Sequence, residues 1–302
     1  MVSGVDIFAA VTMMLSTIST GGFMAVGSSM SDFSFAAQVI VLAFMFLGGT
    51  NFYLHYRALN KREFSAYRRS QEFIWTAIWF LAAAVVIIVI LLITAGDVWS
   101  IDVGNTVWET IFTVVSVGTT TGYTIAEQSA WPLATYMVFW LVMIFGSMSG
   151  STSGGIKIYR LLIIKSYVSN GIYKMFHPRS VRDVRMDGHS VSSDAVVSAV
   201  VVIVMFLAVI IFSTVFLLIS EPGISIMESM GLSISAVSNS GVNMGTIEYT
   251  ELSSISKMFI GFIMWVGRLE VVIALLLFTR TFWSDLILDI KGNRRRMRER
   301  KV

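Results

Sequence analysis

Two stretches of this chain hold no charged residue over twenty or more positions: Thr76–Ala95 (TAIWFLAAAVVIIVILLITA) and Ala195–Ser220 (AVVSAVVVIVMFLAVIIFSTVFLLIS). A helix of about 20 apolar residues crosses a hydrocarbon layer of about 30 Å. In lipid the backbone must satisfy its own hydrogen bonds, so such a run has to be helical. Phe33–Tyr56 is a third run without Asp, Glu, Lys or Arg. Only 14% of the 302 residues are charged and 55% are hydrophobic, whereas soluble domains carry roughly 25% charged residues. The expected class is an all-α polytopic membrane protein. With no cysteine in the chain, disulfides, thiol catalysis and Cys-ligated metals are excluded. The first twenty residues lack a basic stretch, so no cleavable leader is expected.

The charges are sorted along the chain. Of 22 Lys and Arg, five lie in Arg57–Arg69, seven in Lys157–Arg185 and eight in Arg280–Lys301, leaving only Lys257 and Arg268. Twelve of the 19 acidic residues lie between these clusters, among them Asp102, Glu109, Glu127, Glu221 and Glu228. The positive-inside rule puts the three basic clusters in the cytoplasm and the protein in the cell (inner or plasma) membrane, with the lipid bilayer as its solvent. The run RRRMRER then reads as a solvated juxtamembrane tail, with no nucleic-acid partner expected.

An even number of crossings must separate clusters on one side. Two fit between the first and second clusters (Phe73–Ala95 and Trp131–Gly155) and two between the second and third (Ser192–Ser220 and Ser254–Phe278). Each pair encloses an apolar segment too short to span, VWETIFTVVSVG or SIMESMGLSISAV, which reads as a re-entrant helix. The residues at the ends of these short segments reveal an internal repeat: LSTISTGGF, VSVGTTTGY and SAVSNSGVN match when anchored on Gly22, Gly122 and Gly241. Each has a serine six residues earlier (Ser16, Ser116, Ser235), and two have a glutamate thirteen residues earlier (Glu109, Glu228).

The unit is span, pore helix, filter loop, span. Irregular backbone at membrane depth survives only where protein shields it or water reaches it, and rings of carbonyl oxygens replace the hydration shell of an alkali cation. The expected filter ligands are therefore the backbone carbonyls of Thr20, Gly21, Gly22 and Phe23, of Thr120, Thr121, Gly122 and Tyr123, and of Asn239, Ser240, Gly241 and Val242. Residues 1–70 hold a partial repeat (pore helix Gly4–Thr17, filter, inner span), and 71–190 a full repeat with an interrupted inner span and a loop. A second full repeat covers 191–282, and a basic tail 283–302. Three filter loops imply a pseudo-fourfold, potassium-channel-like pore with one repeat missing.

GSMSGSTSGGIK (Gly146–Lys157) interrupts an apolar helix. A phosphate-binding loop requires G-x-x-x-x-G-K-[ST] after a strand; here one residue separates the last Gly from Lys157, no Ser or Thr follows, and the preceding segment is helical. An intramembrane serine protease needs a membrane-embedded base, and His55, His177 and His189 all fall in or beside the basic loops, scattered too widely for a metal site. No enzyme activity is expected. A secondary transporter with a midplane site predicts inverted repeats, whereas these run parallel. Gly and Ser disfavour a continuous helix, so Gly146, Gly150, Ser151, Thr152, Ser153, Gly154 and Gly155 are expected to leave the helix beneath the filter and act as a gate, the alternative being a helix-packing patch of small residues. Their polar groups would be satisfied by pore water and by Arg268. That Arg stands inside the last span, where a charge requires a cavity or a partner. Glu270 is two residues away and faces elsewhere on a helix, so Arg268 is expected to face the pore with the gate. Lys257 reads as an interfacial snorkelling residue, and Trp75, Trp99, Trp131 and Trp283 as interface anchors.

The motifs STGGF, GTTTGY, SNSG, GSMSGSTSGGIK, HPRSVRDVRMDG and GRLEVVIALLLFTRTFW, in this order along essentially the whole chain, resemble the Trk/Ktr/HKT potassium-transporter superfamily, and within it the TrkH-type membrane subunits. The resemblance implies a four-repeat subunit passing K⁺ with no bound cofactor. It also implies assembly as a homodimer and gating by a cytoplasmic, TrkA-like nucleotide-binding subunit. It implies a pore-facing Arg268 as well. The family's first repeat and the outer helix of its second have no counterpart here. The chain is accordingly expected to correspond to the carboxy-terminal part of such a protein. The alternative is a non-conducting fragment, or one half of a split transporter that needs an amino-terminal partner.

Overall fold

The computed structural model describes residues 6–24, 30–94, 102–126, 130–180, 182–243, 245, 247, 249–277, 279–280 and 282–284. Trp99, Glu127 and nearly all of the basic tail lie outside these residues.

The long apolar runs form the two longest helices, α5 (Gln71–Thr94) and α9 (Ser193–Ser220). Both are long and apolar enough to cross a membrane. Ahead of them come α1 (Ile7–Ile18), α2 (Phe35–Gly48), α3 (Phe52–Asn60) and the short α4 (Ser65–Arg69). Between them lie α6 (Val103–Gly118), α7 (Leu133–Phe145), α8 (Ile158–Phe176) and a hairpin of β1 (Arg185–Met186) with β2 (His189–Ser190). The chain continues through α10 (Ile226–Ser238), α11 (Ser254–Arg268) and α12 (Val271–Leu276).

Polar caps start the helices. Asp6, Ser34, Asn51, Asp102, Ser192, Ser225 and Ser253 each accept a backbone N–H of the first turn, one of the groups a helix leaves unpaired. Ser225 and Glu228 complete a reciprocal capping box on α10. That separates the two aligned glutamates: Glu228 caps its helix, while Glu109 lies further into α6 and accepts from Asn105 Nδ2 at 3.0 Å.

In each unit a short helix packs against spans of its own: α1 on α2, α6 on α5 and α7, α10 on α9 and α11. The units join through α2 against α6 and α7 against α10. One apolar cluster runs through the second and third units, from Phe80 and Ile87 through Phe139 and Trp140 to Leu232, Ile260 and Val266. Trp131 packs on this cluster, its ring 5.6 Å from that of Phe139. The short helices α6 and α10 carry their polar side chains inward: Thr110, Thr113, Ser116, Ser229, Ser233 and Ser235 are all fully buried. On α1, Ile7, Phe8, Val11, Met14, Leu15 and Ile18 are exposed.

The second span of every unit is broken, which the hydropathy of Phe33–Tyr56 and Ser254–Phe278 had concealed. α2 and α3 meet at 102° across Gly49–Asn51, α7 and α8 are separated by 146–157, and α11 and α12 by Leu269 and Glu270. Gly49 lies 27 residues past Gly22 and Leu269 lies 28 past Gly241, so these breaks recur at the same place in the repeat.

Candidate functional site: three loops above a buried crossing loop

The three loops share one backbone design. In each, the helix ends in a Schellman closure. Thr20, Thr120 and Asn239 donate their N–H to Thr17 O, Val117 O and Ala236 O, each at 3.1 Å. The next residues, Gly21, Thr121 and Ser240, donate to Ser16 O, Ser116 O and Ser235 O at 2.8, 2.8 and 3.0 Å. The aligned serines are therefore the acceptors that close each helix. Thr20, Thr120 and Asn239 have φ of 51°, 55° and 59°, and Gly22, Gly122 and Gly241 have 67°, 90° and 73°. Two left-handed residues flanking an ordinary one turn successive peptide units alike, which a run of outward carbonyls requires.

The loops lie against each other. A Cβ added at Gly22 would collide with the Thr121 carbonyl oxygen, and one at Gly122 with that of Ser240. The Tyr123 hydroxyl donates to Phe23 O and Met13 O at 3.4 and 3.5 Å, fixing the second loop to the first. Tyr123 and Val242 are buried, whereas Phe23 is 76% exposed.

Residues 146–157 cross directly beneath. Thr20 Oγ1 donates to Thr152 O at 2.9 Å, and Thr120 Oγ1 accepts the Gly154 N–H at 2.7 Å. A Cβ at Gly154 would strike the Ser238 carbonyl oxygen and reach the Asn239 side chain. The crossing loop thus touches the foot of all three upper loops. Left-handed backbone is unusual for a β-branched residue; it persists at Thr20 and Thr120 because the threonine hydroxyls hold the crossing loop.

The loop also fills the break in the first span. Ser147 Oγ and the Met148 N–H donate to Gly49 O at 2.7 and 3.2 Å, the Phe52 N–H donates to Gly150 O at 3.1 Å, and Thr152 Oγ1 donates to Gly48 O and Ile18 O at 3.2 Å. Within the loop Ser151 Oγ lies 2.7 Å from Ser153 Oγ, and the N–H groups of Ile156 and Lys157 return to Ile144 O and Phe145 O at 2.9 and 3.0 Å. Gly146 and Gly155, both at positive φ, form the narrow neck where the chain leaves and re-enters.

Two charged residues complete the loop, and sequence reasoning missed both. Lys157 is buried, and its ammonium donates to the Ser153 carbonyl oxygen and, at 3.1 Å, to Ser153 Oγ. Glu72, only 6% exposed, accepts the Ser149 N–H at 2.6 Å and the Tyr159 N–H at 3.2 Å. A carboxylate at the very start of an apolar run was the available signal for Glu72.

Arg268 departs from expectation in one respect. It is exposed at the end of α11, and its guanidinium donates to Ser19 O at 3.3 Å, under the first upper loop rather than to the crossing loop. The loop's polar groups are met by Thr20, Thr120, Glu72, Lys157 and the 48–49 carbonyls instead. Glu270, at φ 58°, pairs with Arg160 at 2.5 Å, so it is no partner of Arg268; the pair ties the break after α11 to the first turn of α8. Lys257 Nζ donates to Thr250 O at 2.7 Å. Of the histidines, His55 contacts Tyr67 Oη (2.7 Å) and Leu47 O (2.9 Å). No group of three or more His, Asp or Glu is placed to hold a metal ion among the described residues.

Against known proteins, the chain is 28% identical over 291 residues to the Trk system potassium uptake protein TrkH of Escherichia coli strain K12, a match covering 94% of this chain and 58% of that protein. To the Trk system potassium uptake protein TrkG of the same strain it is 27% identical over 290 residues, with the same coverage. The crystal structure of the potassium transporter TrkH from Vibrio parahaemolyticus superposes with a TM-score of 0.84 at 26% identity, over 93% of this chain and 60% of that one. The chain therefore spans somewhat over half the length of these relatives. The family profile described as TrkH, cation transport protein, matches residues 3–289, and the chain belongs to that family of membrane cation transport proteins.

Proposed function

We propose that this chain carries most of the conducting path of a potassium uptake protein, with the three upper loops as its selectivity filter and residues 146–157 as its gate. The observation that carries this reading is the shared backbone of the loops. Left-handed residues at Thr20/Gly22, Thr120/Gly122 and Asn239/Gly241 stand side by side above a loop bonded to their undersides. The names of the similar proteins supply the ion. The carbonyls of 20–23, 120–123 and 239–242 replace water around K⁺ as it enters, as in filters of the potassium-channel type. The crossing loop blocks the exit until it moves aside, and Arg268, beside Ser19, sets an electrostatic barrier at the same level. K⁺ is the transported ion and not a resident cofactor. The basic loops and the tail face the cytoplasm, where a TrkA-like nucleotide-binding subunit docks on a homodimer in the cell membrane.

A second reading concerns completeness of the ring. Filters of the potassium-channel type use four loops, and the exposed apolar face of α1 is where a further repeat would pack. On that reading the chain alone does not conduct, and purified chain that passes K⁺ without any amino-terminal repeat would refute it. The gate is tested by deleting 150–154 and following rubidium uptake in a K⁺-uptake-deficient host, using the complete protein. The deletion is expected to leave a pore that leaks without regulation; wild-type flux would reduce the loop to a packing element.

A further inference from the structure

Glu72 stands outside the filter, yet it is the side chain that touches both arms of the crossing loop. Ser149, on the entering arm, and Tyr159, in the first turn of α8 beyond the exit, are 77 and 87 residues away in sequence, and both donate backbone N–H groups to the same Glu72 Oε1. A buried carboxyl group requires such donors. One oxygen therefore fixes the separation between the two ends of the loop. The next residue towards the amino terminus is held from elsewhere: the Gln71 N–H donates to Asp187 Oδ1 at 2.8 Å, across 116 residues. Asp187 sits at the tip of the β1–β2 hairpin at φ 48°, outside the packed spans, in a segment that also carries Arg182 and Arg185.

We propose that Glu72 is a positioning residue of the gate, clasping both arms of loop 146–157, and that Asp187, by capping α5 one residue away, ties this clasp to the β1–β2 hairpin. A displacement of the hairpin shifts the first turn of α5. The carboxylate moves with it, and the two arms lose their common anchor. The inference rests on the gate reading above, but its test is independent of flux.

These 302 residues contain no cysteine, so Ser149→Cys in the complete protein, with any cysteine outside them replaced by serine, gives a single thiol, and the substitution keeps the backbone N–H that Glu72 accepts. Reaction with a soluble maleimide then reports how often the loop leaves its seat. Glu72→Ala is expected to raise the labelling rate about tenfold, the scale of losing the two hydrogen bonds it accepts. Glu72→Gln retains an acceptor oxygen at the same reach and is expected to label within about twofold of the unsubstituted protein. Asp187→Ala is expected to raise labelling about threefold, one neutral-to-charged cap being weaker, and to add nothing in the Glu72→Ala background. Unchanged labelling in Glu72→Ala, or equal acceleration by Glu72→Ala and Glu72→Gln, would overturn the clasp. Additive effects of the two alanines would overturn the link to the hairpin. If Glu72→Ala does not fold, the exposed Asp187→Ala decides, since labelling at the unsubstituted rate contradicts the proposal. Rubidium uptake measured alongside separates the two readings: faster labelling with unchanged uptake supports the clasp and removes the gate role from the loop.

Discussion

Threonine is a costly choice for a left-handed position: for an L-residue other than glycine that conformation costs on the order of 1–2 kcal/mol. At positions 20 and 120 the chain accepts this cost because glycine has no hydroxyl to offer Thr152 O or the Gly154 N–H. Thr120→Val leaves a buried N–H without its acceptor and is expected to destabilise the protein by about 1–3 kcal/mol while raising basal rubidium flux. Thr120→Ser removes one methyl group, costs less than about 1 kcal/mol and keeps the gate closed. Thermal unfolding and flux on both variants check this, and equal behaviour of the two would remove the hydroxyl from the account. The anchor glycines were legible in the sequence because small residues spaced alike stand out in an apolar chain. The role of the threonine hydroxyls was not, since their partners are 132 and 34 residues away. Glu109 and Glu228 show the opposite failure: they align in sequence but do different work, because α10 starts two residues before Glu228 and α6 starts six before Glu109.

Among the elements, the broken second spans matter most. Each break exposes backbone groups that lipid cannot satisfy, and the crossing loop supplies partners for the first of them at Gly48, Gly49 and Phe52. Gly154→Ala puts a methyl group into the Ser238 carbonyl, so the loop cannot seat. The expected result is raised basal flux and faster amide exchange across 146–157, with the rest of the protein protected as before. The breaks at Gly49–Asn51 and Leu269–Glu270 escaped the sequence reading because hydropathy is blind to them: apolar residues continue on both sides. By contrast, GSMSGSTSGGIK was readable, being long and polar. A further element-level prediction concerns the α9–α11 junction. Ser253 and Ser256 hold the Glu221 carboxyl below the usual carboxylate range, and its Oε1 accepts the Ser253 N–H at 2.7 Å. A depressed pKa gives a contribution that is present above the ordinary carboxylate range and is lost as pH falls through the lowered value. Exchange at the start of α11 is therefore expected to be slow at neutral pH and to quicken in acid, and Glu221→Gln should abolish that difference.

On the scale of the whole molecule, three units of like design surround one crossing loop that accepts a hydrogen bond from the first, donates one to the second and packs on the third. Membrane class, the two long spans and the repeat were legible, because lipid imposes uncharged runs on sequence. The arrangement of the units around one point was not, because it depends on close backbone approaches such as Gly22 to Thr121 and Gly122 to Ser240, which leave only a glycine as their trace. The proposed potassium filter depends on these approaches. Rubidium uptake by the complete protein carrying Gly122→Asp, in a K⁺-uptake-deficient host and with folding verified by size-exclusion chromatography, tests it most directly. Uptake is predicted to be abolished in a folded, membrane-inserted protein; uptake at the wild-type rate would contradict the filter assignment.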